Sequence, residues 1–68
     1  MLNDNLLKTV QNVVNDQIAL CAGDLESLQF FIDSRKEAIN LLTNKNGKSA
    51  MMKKEGIRLI QKEIDSIK

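Results

Sequence analysis

From Leu7 onward the apolar positions of this chain advance in steps of four and three: Leu7, Gln11, Val14, Ile18, Cys21, Leu25, Leu28, Ile32, Arg35, Ile39 and Leu42. All but Gln11 and Arg35 are apolar in a chain that is 43% hydrophobic, so the spacing is a helical seam and not chance clustering. A polar residue on such a seam costs stability and can fix register. Arg35 can alternatively lay its stem along the core and carry its head to solvent. A second stripe, Leu6, Val10, Val13 and Leu20, runs beside the first half of the seam. Together they make a face wider than one partner helix covers, so the amino-terminal segment is expected to touch at least two others.

Thr43-Asn44-Lys45-Asn46-Gly47-Lys48 breaks the pattern with residues that tolerate turn geometry, which predicts a loop over 43–48. Ser49 then reads as the N-cap of a helix over 49–67, with Ile57, Ile60, Ile64 and Ile67 repeating the three-four spacing. Isoleucine at both seam positions favours three or four packed strands over two. Gly56 interrupts this helix at a cost of about 1 kcal/mol relative to alanine, which marks a close helix approach.

Ala22-Gly23-Asp24 admits two readings. Glycine followed by aspartate can end one helix and cap the next, with Glu26 well placed in the new first turn. Yet the seam keeps its phase from Ile18 through Cys21 to Leu25, which favours a single helix over about 5–42, roughly 57 Å long at 1.5 Å per residue. The second helix would cover only half of it. The expected fold is therefore all-α: an antiparallel helical hairpin, completed by self-association through Leu7, Val10, Val14, Ile18, Leu25, Leu28, Ile57, Ile60 and Ile64. A three-helix bundle with a turn at Gly23-Asp24 is the alternative.

Length supports this expectation, because 68 residues make one small domain, spanning 1–68, with too little interior to be comfortable alone. One cysteine and no histidine leave neither a disulfide within the chain nor a metal cluster as support, so association remains. With tyrosine and tryptophan also absent, the residues that usually perform catalysis are too few to assemble, and neither an enzyme nor a cofactor is expected. No apolar run approaches the roughly 18 residues of a membrane span, and Met1-Leu2-Asn3-Asp4 lacks the basic start of a secretory signal. A cytoplasmic protein without membrane contact is expected. Asparagine, lysine and isoleucine are abundant, as AT-rich coding sequences tend to make them, which suggests a phage or an AT-rich bacterium as the source.

The formal net charge of +1 hides an asymmetry. Residues 1–34 carry Lys8 against Asp4, Asp16, Asp24, Glu26 and Asp33, whereas residues 35–68 carry nine bases against Glu37, Glu55, Glu63 and Asp65. The halves are complements, so the chain folds back on itself, pairs head to tail with a copy, or offers its basic half to an acidic partner. Lys54, Arg58 and Lys62 step by four and form a basic row, the candidate contact for nucleic acid. No groove-reading motif or stacking aromatic accompanies them. Phe30 and Phe31 lie about 100° apart on a helix, which sends Phe31 inward and makes Phe30 the candidate exposed contact. Gly47-Lys48-Ser49 looks like the end of a phosphate-binding loop, but Leu42 stands where that motif needs glycine and a helix precedes it. Cys21 sits on the seam as a small hydrophobe.

These features favour a non-enzymatic helical interaction module, such as an adaptor, small chaperone or inhibitor, that binds itself and a larger protein through helix faces. A small nucleic-acid-binding regulator using Lys54, Arg58 and Lys62 is the competing expectation.

Overall fold

Three helices account for most of the chain in a computed structural model that describes residues 2–68: α1 (Asp4–Cys21), α2 (Leu25–Asn40) and α3 (Lys48–Ile67). The first two begin where the local chemistry favours it. The Asn3 side chain accepts the Leu6 amide at 2.9 Å and Asp4 occupies the first turn of α1, so a side-chain oxygen and a negative charge meet the positive helix end. Asp24 does the same for α2, accepting the Glu26 amide at 3.2 Å and the Ser27 hydroxyl at 2.8 Å. Gly47, not Ser49, is the N-cap of α3. The helix starts at Lys48, which places Ser49 inside the first turn, where its hydroxyl accepts from Lys53 Nζ at 2.9 Å.

The continuous first helix is not formed. The chain turns at Ala22 and Gly23, whose φ angles of 47° and 83° are both left-handed. The Ala22 amide closes α1 on the Ile18 carbonyl, and the Asp24 amide bonds the Cys21 carbonyl at 2.9 Å. Phase nevertheless persists across the turn for a physical reason: α1 and α2 both bury their seam against α3, so a shared core demands what a straight helix would also have given. The fold is the three-helix bundle, running up, down and up, with principal extents of 32 × 25 × 17 Å. Parallel α1 and α3 line common clefts, from Leu7 beside Met51 to Ile18 beside Glu63.

Val10, Val14, Cys21, Leu28, Ile32, Ile60 and Ile64 form the core, with Ile18, Phe31, Met52, Ile57 and Leu59 packed around it. Burying each such aliphatic side chain is worth about 1.5–3 kcal/mol. Five residues of the expected self-association surface lie inside this core. Val10, Val14, Leu28, Ile60 and Ile64 are enclosed by their own chain, because the turn brings α2 and α3 over the face that a second chain was expected to cover. Leu7, Ile18 and Ile57 are half-buried and Leu25 is exposed at the start of α2.

Gly56 and Arg35 explain each other. A Cβ on Gly56 would collide with the Arg35 Nε, so the missing side chain on α3 is the channel through which the arginine of α2 passes. Its guanidinium donates to Gln17 Oε1 of α1 at 2.7 Å and to the Phe31 carbonyl at 3.2 Å, joining all three helices at one point. Gln11, the other polar seam residue, is exposed. No helix among the described residues is long and apolar enough to cross a membrane.

Candidate functional site

The second stripe of α1 is only partly used. Val10 enters the core and Leu6 is half-buried, but Val13 is 46% and Leu20 is 80% exposed. Of the three helix pairs, α1 and α2 pack least closely, so the flank of α1 that carries Val13 and Leu20 is left without cover. Large aliphatic side chains this open cost solvation free energy that nothing in the chain recovers.

Leu20 does not stand alone. Phe30 of α2, 64% exposed, lines the same open cleft of about 530 Å³ at the α1–α2 corner, together with Phe31, Asp24, Glu26 and Ser27. Phe31 packs on the core and meets the Phe30 ring edge to face, with centroids 5.7 Å apart and planes at 70°. The inner phenylalanine thus supports one side of the outer ring, which lowers the entropy cost of any contact made through it. The rim is acidic. Asp24 is engaged in capping α2, while the Glu26 carboxylate has no cation beside it. Cys21 lies at the floor of the cleft, buried, and burial followed by the neighbouring Asp24 carboxylate pushes its thiol up. A thiol held protonated in this way is packing material.

The basic row of α3 is present on the surface but is partly spent within the chain. Lys54, Arg58 and Lys62 line one shallow groove with Ile57, Gln61 and Asp65. Arg58 is clasped by Glu55 through two bonds of 2.8 and 2.6 Å, which lowers the Glu55 carboxyl and raises the guanidinium. Lys54 Nζ donates to the Lys45 carbonyl at 3.3 Å, and Lys45 Nζ closes the end of α2 on the Asn40 and Leu42 carbonyls. Lys62 alone of the row is left facing solvent without a bond.

Sequence reasoning singled out Phe30 and missed Leu20, which it assigned to a buried stripe. The signal was available: Leu20 precedes the Gly23 turn by less than one helical turn, where the next helix has yet to come alongside. Leu41, 82% exposed at the end of α2, was also missed. The structure brings Leu20 and Phe30 together and leaves Lys54, Arg58 and Lys62 on a different face of the bundle. No protein-family model, no curated protein and no solved structure matches the chain.

Proposed function

We propose that the chain is a non-enzymatic helical interaction module that works by presenting the Leu20–Phe30 corner, with its Asp24 and Glu26 rim, to another protein surface. The observation that carries this reading is the shared cleft of two large apolar side chains, 80% and 64% exposed, with one ring supported on one side by a core phenylalanine. Interface centres are enriched in such rigid aromatic anchors set in an apolar pocket with a polar rim. The reading moves the contact surface away from the seam, whose buried members already serve the chain's own core.

A photo-reactive phenylalanine analogue at position 30 tests it in the cells that make the protein. A discrete adduct is expected, lost in Leu20→Ser and absent when the probe sits at exposed Gln61 of α3. Equal, diffuse labelling from both positions would sink the proposal. The competing nucleic-acid reading is weakened by the Glu55–Arg58 pair and by the bond that Lys54 makes to its own chain. Binding to a labelled duplex at low salt, abolished when Lys54, Arg58 and Lys62 are changed to alanine, would restore it.

A further inference from the structure

The charge asymmetry between the two halves of the sequence survives folding. Among the described residues the one ion pair is Arg58–Glu55, and both partners lie within α3. Among the described residues no ion pair joins the acidic α1–α2 half to the basic α3. Because α1 and α3 run parallel, the charges also separate along the bundle. Asp24 and Glu26 lie at the end where α1 stops, which Lys62 and Lys68 of the α3 terminus also approach, whereas Lys45, Lys48 and Lys54 outnumber Asp4 and Glu55 where α1 begins. Each end keeps apolar surface open. At the acidic end this is Leu20 and Phe30. At the basic end a mostly apolar groove is lined by Leu2, Leu7, Met51, Lys54, Glu55 and Arg58.

The two surfaces differ in sign and lie about 20 Å apart along α1, taking the thirteen residues from Leu7 to Leu20 at 1.5 Å each. Pairing either end with its like would bring acid to acid or base to base, at an electrostatic cost. Pairing unlike ends sets Asp24 and Glu26 against Lys54, whose bond to a neutral carbonyl leaves its charge uncancelled, and covers four leucine and phenylalanine side chains at once. We infer that the occupant of the Leu20–Phe30 corner is a second copy of this chain, which docks its Leu2–Leu7 groove there, so that copies associate head to tail. This inference rests on the interaction-module reading and names its partner. The contact is heterologous, so it leaves one free acidic end and one free basic end on every pair and does not close at two copies unless the rotation returns on itself.

Sedimentation equilibrium with refractive-index detection tests it on the whole chain. Wild type should exceed 7.7 kDa at high concentration and continue past the dimer or stop at a closed ring, and added salt should return it toward monomer. Leu20→Ser/Phe30→Ser disables the acidic end and Lys54→Glu/Arg58→Glu the basic end, so each alone should be monomeric. An equal mixture of the two variants should recover a one-to-one dimer, because one intact acidic end meets one intact basic end. Circular dichroism verifies that each variant stays helical; the single change Phe30→Ser replaces the acidic-end pair, and the single change Lys54→Ala the basic-end pair, where it does not. Wild type that stays monomeric, or a dimer that neither mixture nor salt affects, overturns head-to-tail pairing. An adduct from position 30 to a different protein, with wild type monomeric, overturns the second copy and leaves the module reading standing. A monomer with no adduct overturns both.

Discussion

Arg58 and Arg35 are held in opposite ways, and the difference separates surface charge from architecture. Arg58 lies on the outer face of α3 with 62% of its side chain exposed, gripped by Glu55 one turn earlier. Arg35 reaches inward from α2 across Gly56, half-buried, where a carbonyl and an amide oxygen, but no carboxylate, accept its hydrogen bonds. The ion pair raises the affinity of Arg58 for its proton, while burial lowers that of Arg35. Water reaches the exposed Arg58 head and competes with the first arrangement, so the pair contributes little. The second has partners fixed by three helices and little water to replace them. The arginine that belongs to an inviting basic row is thus locally neutralised, and the one that looked like a flaw in a hydrophobic seam holds the bundle together.

The widest gap between the two sites comes from truncation. Arg35→Ala should lower unfolding stability by about 2 kcal/mol, since it removes a charged donor from two fixed acceptors and the stem that fills the space over Gly56. Urea denaturation followed at 222 nm reads this directly. An unchanged midpoint would mean that the crossing is ornamental. Gly56→Ala sharpens the same point at a smaller scale. Alanine gains about 1 kcal/mol over glycine inside a helix, yet here its Cβ meets the arginine, so the gain should be absent in wild type and recovered when Arg35 is alanine. Additive effects of the two substitutions would show that they do not share space.

Acid titration isolates the other arginine. Glu55 is held below its ordinary range by the hydrogen bonds from Arg58, so the pair's stabilisation is present above the unfolded glutamate value and is lost as pH falls through the depressed folded one. The expected loss is small, lies below about pH 4, and should vanish in Glu55→Gln. A loss centred near neutral pH would contradict the assignment. Smallest of all is Arg58→Ala, which removes the same pair and should lower the denaturation midpoint only slightly.

How far the sequence could be read follows from what each feature depends on. The three-four spacing of Val14, Leu28, Ile32, Ile60 and Ile64 depends only on which face of a helix is buried, so the all-α core was legible. The loop rested on its own asparagines and glycine and was equally plain. Gly56 announced a close approach, but nothing local could say that the approaching group was Arg35, twenty-one residues earlier. The turn at Ala22-Gly23 was misjudged because phase was taken as evidence of continuity, when packing against a common neighbour imposes the same phase on two separate helices. Leu20 was misplaced for the related reason that helix pattern shows which face is apolar and not how much of it the other helices reach.

The turn itself has a further consequence. Since the apolar register runs unbroken through Ile18, Cys21, Leu25 and Leu28 on either side of two left-handed residues, α1 and α2 are already aligned for fusion. Returning Ala22 and Gly23 to helical angles would produce a rod whose buried stripe is continuous, with its first half freed to pack on a neighbouring molecule. Two residues therefore separate a chain that closes on itself from a rod that could not, and the left-handed geometry of Ala22 is the part of that turn held under strain.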